Sequence, residues 1–248
     1  GYGLDGTVWG GEFFLISERG WERVAHLRQF RLPGGDKAIK EPRRSALGLL
    51  HAAFGAKGLL ENPTAPVQAF TRPELTALLR MLEQGLNSPL TSSVGRLFDA
   101  VAALVGLRQI TRFEGQAAME LEFAAQTAAE QGHYAFALTR SETPPLWVID
   151  WGPALNCLLE DLRRKETPAR IAAAFHQGLA EAVVAVARTV GQSRVVLSGG
   201  CFQNRLLTER TIARLQAEGF RPYWHQRVPP NDGGLSLGQI AAARHLLP

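Results

Sequence analysis

The order of elements in residues 168–226 limits the fold more narrowly than anything else in the chain. PARIAAAFHQGLAEAVVAVARTV is long and apolar on a broad stripe, as a buried-faced helix requires, and RVVLSG after it reads as a strand. NRLLTERTIARLQAEG returns to helical spacing, and RPYWHQ is strand-like again. Long helix, strand, glycine turn, helix, strand is an α/β signature.

The rest of the chain supplies further elements. Residues 10–17 (GGEFFLIS) predict a short strand and WERVAHLRQF a second, followed by turn chemistry in LPGGDKAIK. Residues 41–54 (EPRRSALGLLHAAF) predict a helix with proline near its start, ENPTAPVQAF a loop, and TRPELTALLRMLEQGL a helix with a threonine cap. VGRLFDAVAALVGL is a strongly apolar helix with Asp99 embedded in it, and FEGQAAMELEFAAQTA is a glycine turn opening another. HYAFALTR and PPLWVIDW predict the strands of a hairpin, GPALNCLLEDLRRK a helix, VPPNDGG a turn and LSLGQIAAARHLL (235–247) a closing helix.

With 248 residues, 46% of them hydrophobic, the chain can bury a substantial core. The net charge is +4, from 27 basic and 23 acidic residues, and no Lys/Arg-rich block is interleaved with aromatics. That argues against nucleic acid as a partner. No stretch reaches the length of a membrane span, so no membrane partner is expected. Cys157 and Cys201 form neither a metal-ligand spacing nor a disulfide framework, and a reducing cytoplasm fits them best. The opening GYGLDGTVWGGE reads as the middle of something, which predicts a piece cut from a larger protein.

Three glycine turns stand at strand–loop junctions: Gly10-Gly11, Ser198-Gly199-Gly200, and Pro230-Asn231-Asp232-Gly233-Gly234. Without Cβ atoms such turns let backbone N–H groups approach phosphate or ribose oxygens, and a helix N-terminus adds favourable potential. Each alone is equally a tight connection; together they predict a shared nucleotide cleft. Asp232 could ligate a metal or bind its own turn. Asp99 could accept from a ribose or sit at the edge of the core. Cys201 reads as a packed small hydrophobe rather than a nucleophile, and His133, His176 and His225 lack metal-ligand spacing.

DGTVWGGE, PGGDKAIKEPRRSAL, SSVGRLFDAVAALVG, FEGQAAMELE, VVLSGGCFQNRLL and PPNDGGLSLGQ, in that order along the whole chain, closely resemble the C-terminal domain of the HypF family of hydrogenase-maturation carbamoyltransferases. That domain is related to the tRNA threonylcarbamoyl-transfer (TsaD) enzymes. The resemblance implies an actin-like, two-lobed α/β fold of the hexokinase/Hsp70 type. Residues 1–248 would be the C-terminal portion of the carbamoyltransferase domain, most of one lobe plus its helical insertions, with acylphosphatase, zinc-finger and carbamoyl-adenylate-forming domains upstream. It further implies that carbamoyl phosphate and ATP give carbamoyl adenylate, and that the carbamoyl group passes to the C-terminal cysteine of a partner, HypE, as precursor of the cyanide ligand of [NiFe]-hydrogenase.

Carried over residue by residue, the resemblance places Gly10 and Gly11 in the first phosphate-side loop and Asp99 at the ribose. Glu114 and Gly115 fall at a nucleoside contact where the related tRNA enzymes have Pro-Gly-Gly. Gly199 and Gly200 match the second nucleotide loop, Asn204 the adenine-facing position, and Asp232 an aspartate that helps hold a divalent metal. The family's metal-binding histidine pair and the aspartate of its first Asp-Gly-Thr are not in this sequence, and Asp5 belongs to the second. One metal ligand is too few for tight binding, so residues 1–248 alone are expected to be inactive. The competing readings are an O-carbamoyltransferase acting on a small-molecule hydroxyl, and an inactive nucleotide-binding or docking module.

Overall fold

The computed structural model describes residues 1–18, 20–61, 63–128, 132–142 and 145–244. Strands β1 (Glu12–Ser17), β2 (Gly20–Leu27) and β3 (Phe30–Arg31) lead into helices α1 (Lys37–Lys40), α2 (Pro42–Glu61), α3 (Ala65–Gln68) and α4 (Arg72–Gln84). Then come β4 (Leu90–Thr91), α5 (Val94–Leu104), α6 (Gln116–Gln126), β5 (Ala137–Glu142), β6 (Pro145–Asp150), α7 (Gly152–Arg163) and α8 (Pro168–Val190). The C-terminal part alternates β7 (Arg194–Leu197), a 3-10 turn (Gly200–Gln203), α9 (Arg205–Ala217), β8 (Arg221–Trp224), a second 3-10 turn (Asp232–Gly234) and α10 (Leu235–Arg244).

The larger sheet is four-stranded, in the order β1-β2-β6-β5, with two antiparallel hairpins joined by a parallel β2–β6 pairing. β3 pairs with β4, and β7 lies parallel to β8. Parallel pairing needs a crossover, and α9 supplies it. The helices expected at 41–54, 71–86 and 235–247 need different adjustments. The first continues to Glu61 across a break at Gly55 (φ 67°, ψ 178°). The second is correct, with Thr71 and Glu74 forming a reciprocal capping box and Gly85 ending it in the left-handed region. The third is described to Arg244, and its expected residues 245–247 lie outside the described residues. The stretches read as turn and loop, LPGGDKAIK and ENPTAPVQAF, each contain one helical turn, α1 and α3.

The main core lies between the four-stranded sheet and helices α2, α5, α6 and α8. Phe98 of α5 meets Phe175 of α8 edge-to-face at 5.1 Å, both 2% exposed, and each ring's burial contributes about 3 kcal/mol. Thr167 caps α8, and Gly178 within it lets the helix run against the backbone of Tyr134, where a Cβ would come 2.2 Å from the carbonyl oxygen. A smaller core of Val184, Ala187, Leu197 and Leu215 ties α8 and α9 to β7. This packing brings the start of α5, the end of β7 and the loop before β1 to one place.

Candidate functional site

The first glycine turn is closed by the protein itself. The Gly10 and Gly11 amides both donate to Glu12 Oε2, at 2.5 and 2.8 Å. Glu12 Oε1 accepts from Arg23 at 3.1 Å and from the Ser92 hydroxyl, and its side chain is 5% exposed. Arg23 also holds Asp5 at 2.7 Å. Although burial opposes it, donation from Thr7, Arg23 and Trp9 holds the Asp5 carboxyl well below the usual carboxylate range. A Cβ on Gly11 would lie 2.3 Å from the Ser92 carbonyl oxygen. These two glycines therefore serve close packing on the entry to α5. Successive amides make a concavity suited to an anion, and the group these two amides meet in the structure is the Glu12 carboxylate.

The N-terminus of α5 is likewise satisfied internally. Val94 N–H donates to the Gly10 carbonyl, Arg96 N–H to the capping Ser93 hydroxyl, and Gly95 N–H to the Cys201 sulfur. Burial pushes the Cys201 thiol up to about 11, with Arg96 opposing, so it is a poor thiolate at neutral pH. Below it Asp99, 2% exposed, lies 2.9 Å from Arg96. The pair is close enough for an ion pair but not aligned as a hydrogen bond, which leaves Asp99 Oδ2 a buried acceptor without a donor. Burial lifts its carboxyl to about 7 against the pull of Arg96, and the nearby Glu114 carboxylate adds to the rise.

The second glycine turn is open. Gly199 (φ 101°) donates to the Pro230 carbonyl, which fixes the Pro-Asn-Asp-Gly-Gly turn beside it. The next two amides, Gly200 and Cys201, make no hydrogen bond among the described residues. Nothing lies within 4 Å of a Cβ on Gly199, and the nearest atom to one on Gly200 is Asn231 Cβ at 3.9 Å. Ser198 Oγ and His225 Nε2 are 3.0 Å apart at the same strand ends, a contact sequence reasoning did not anticipate. Beside them a cleft of about 380 Å³ opens between α9 and β8, lined by Phe202, Gln203, Arg205, Trp224 and His225.

Both polar atoms of the Asn204 side chain are engaged within the protein. Its Oδ1 accepts from Leu207 N–H as the cap of α9, and its Nδ2 donates to His176 Nε2 at 2.9 Å. His176 Nδ1 in turn donates to the Ala172 carbonyl, and burial lowers this imidazole to about 4, so it is neutral. The signal for a cap was present in the sequence: an asparagine directly before a helical run. Glu122 of α6 also accepts from the Leu206 amide, closing the start of α9 to other anions. Glu114 is exposed, and Gly115 (φ 80°) caps α6 next to it.

Asp232 is exposed at the first position of its turn, with Asn231 accepting from Gly233. Among the described residues no three His, Cys, Asp or Glu side chains gather where they could hold a metal ion. The described residues do not fit a metal centre of their own.

Of the predicted residues, the structure thus brings Gly10, Gly11, Asp99, Gly199 and Gly200 around the start of α5, with Asp232 on the adjoining turn and Glu114 within electrostatic reach of Asp99. Gly200 and the neighbouring Cys201 supply two consecutive amides without a hydrogen-bond acceptor among the described residues.

The chain as a whole is similar to known proteins. Residues 1–239 match the family model described as "Carbamoyltransferase, Kae1-like Domain, second subdomain". The carbamoyltransferase HypF of Synechocystis sp. is 40% identical over 253 residues, covering 98% of this chain and 32% of that protein. A HypF homolog from Cupriavidus necator is 38% identical over 98% of this chain and 62% of its own length. The crystal structure of full-length HypF in its phosphate- and nucleotide-bound form superposes with a TM-score of 0.91 at 38% identity, covering all of this chain and 38% of that one. The chain spans about a third of the length of the first of these relatives. No helix among the described residues is long and apolar enough to cross a membrane. A mixed α/β chain matched from end to end in sequence and in fold, it belongs to the HypF carbamoyltransferase family as the second subdomain of the Kae1-like domain.

Proposed function

We propose that these residues form one wall of the nucleotide site of a HypF carbamoyltransferase. In this reading the full-length enzyme makes carbamoyl adenylate from carbamoyl phosphate and ATP and delivers the carbamoyl group to the C-terminal cysteine of HypE. One observation carries it: the consecutive open amides of Gly200 and Cys201, beside the Gly199 turn and above the buried acceptor of Asp99. Family membership supports it, as does the phosphate- and nucleotide-bound form of the related full-length structure.

Two adjacent N–H groups with no internal partner suit phosphate oxygens, whose negative charge they stabilise without reorganisation. A ribose hydroxyl would supply the donor that Asp99 Oδ2 lacks, offsetting the cost of an unsatisfied buried acceptor. In the transfer step the acceptor thiolate, its proton already lost to solvent, attacks the carbamoyl carbon. The S–C bond forms, the bond from that carbon to the phosphate oxygen breaks, and AMP leaves with the electron pair. The chain's contribution is to position the adenylate and stabilise charge on the departing phosphate. Cys201, buried and held as a thiol, takes no covalent part.

The test is mass spectrometry of the acceptor's C-terminal peptide after incubation with a chain of full family length, ATP and carbamoyl phosphate. A gain of one carbamoyl group on the terminal cysteine is expected. Carbamoylation of a small-molecule hydroxyl with the cysteine untouched would show an O-carbamoyltransferase instead. Residues 1–248 alone, with no assembled metal centre among the described residues, are expected to bind nucleotide weakly and to transfer nothing.

A further inference from the structure

The stretches GGDKAIKEPRR and the approach to FEGQ lie far apart in sequence, yet the structure stitches them into one surface. Thr111 N–H and its hydroxyl both donate to the Lys40 carbonyl, at 2.8 and 3.1 Å, and Arg43 N–H donates to the Gln109 carbonyl. The single turn of α1 and residues 109–113 therefore run side by side, and the segment ends at Glu114, whose charge is felt by the buried Asp99. On this surface Ile39, Ile110 and Phe113 are exposed, by 37%, 54% and 54%. Lys37, Lys40 and Arg112 are exposed around them, and none has an ion-pair partner among the described residues. The acids alongside are Asp36 and Glu114.

Packing does not explain this combination. The neighbouring basic residues Arg43 and Arg44 are used structurally, both on Glu41, with Arg43 also stacked on Phe70 at 4.3 Å. Three cations left without partners around three exposed apolar side chains form a surface complementary to an extended segment with apolar side chains and a terminal negative charge.

We infer that this surface docks the C-terminal tail of the acceptor protein, with Ile39, Ile110 and Phe113 taking its apolar side chains and Lys37, Lys40 and Arg112 attracting its free α-carboxylate. The inference rests on the acceptor being a C-terminal cysteine, a residue whose thiol and α-carboxylate sit on one Cα. A tail whose carboxylate is held by Lys37, Lys40 and Arg112 would keep its thiol at this surface, on the side where Glu114 lies within electrostatic reach of Asp99. The apolar contacts contribute affinity, while the cations mainly set approach and register.

The test uses a chain of full family length, with a synthetic peptide copying the acceptor's C-terminal residues and ending in cysteine. Two rates are measured: transfer to the peptide, and carbamoyl-phosphate-dependent ATP–pyrophosphate exchange without it. The K37E/K40E/R112E variant is expected to raise KM for the peptide about tenfold while leaving exchange within about twofold. F113A should raise the same KM severalfold. Amidating the peptide's C-terminus should raise KM in the wild type but add nothing in the triple variant, because the same contact is then already lost.

An unchanged KM in both variants overturns the inference. So does a parallel loss of exchange and transfer, which would mean that the surface is covered by another part of the same chain or belongs to the nucleotide site. A wild-type enzyme that carries out exchange but carbamoylates no cysteine-ended peptide overturns the acceptor reading itself, and this surface assignment with it.

Discussion

The two glycine turns, Gly10-Gly11 and Gly199-Gly200, look alike in sequence and are opposites in the structure. Both precede or follow a strand and both put consecutive amides in a concavity. At the first, Glu12 fills the concavity and the Ser92–Ser93 backbone presses against the missing Cβ atoms. At the second, the amides of Gly200 and Cys201 have no acceptor among the described residues, and nothing comes closer than 3.9 Å to a Cβ on Gly199 or Gly200. Glycine thus marks two different needs, close approach of the chain to itself and, in the function proposed above, close approach of the chain to a ligand. What separates them is the next residue: an acid able to fold back on the turn in one case, a cysteine turned onto α5 in the other.

Substitutions can break this contrast. Gly11→Ala, with its new Cβ 2.3 Å from a backbone oxygen, should destabilise the fold by about 3 kcal/mol, read as a lower urea midpoint. Glu12→Gln keeps an acceptor for the two amides but leaves Asp5 as the remaining carboxylate partner of Arg23, and should cost about 2 kcal/mol while leaving nucleotide affinity unchanged. Gly200→Ala meets no atom closer than 3.9 Å and should keep stability within about 0.5 kcal/mol. Its nucleotide Kd should nevertheless rise about tenfold by isothermal titration, because the methyl group obstructs the open amides.

Two buried titrating groups sharpen the picture of what lies beneath the open turn. Asp99, raised to about 7 by burial against Arg96's attraction, binds a proton in the folded state that it has lost in the unfolded state above about pH 4. Its contribution is fully present at low pH and disappears as pH rises through 7. His176, lowered to about 4 by burial, does the reverse: its neutral form is favourable above its unfolded value near 6.5 and becomes costly as pH falls towards 4. Between these limits the two slopes oppose each other, each about 1.4 kcal/mol per pH unit at most. Wild-type stability should therefore show little slope from this pair between pH 4.5 and 6. His176→Gln should make stability fall with rising pH over that window, Asp99→Asn should make it rise, and urea midpoints taken across the window read the signs directly.

The sequence carried the local features well. Thr71 with Glu74, Thr167 with Pro168, and the glycines ending α4 and α8 are short-range devices whose partners sit within a turn, so the helices they bound were legible. It carried long-range features poorly. The parallel pairing of β2 with β6 joins Ala25 to Trp147, and the two-residue strands β3 and β4 have no pattern of their own. The continuation of α2 past Phe54 was hidden by the break at Gly55. At the candidate site, glycine motifs marked the turns but not which amides were free. That depends on Glu12 folding back and on Asn204 pairing with His176 across two helices, and neither spacing reveals it.

The central claim is that the nucleotide is met by the Gly200 and Cys201 amides and not by those of Gly10 and Gly11. An amide-resolved NMR titration of the chain with AMP tests it most directly. The account predicts that the Gly200 and Cys201 resonances move with nucleotide while Gly10 and Gly11, bonded to Glu12, stay in place. Movement of Gly10 and Gly11 with Gly200 and Cys201 unchanged would contradict it.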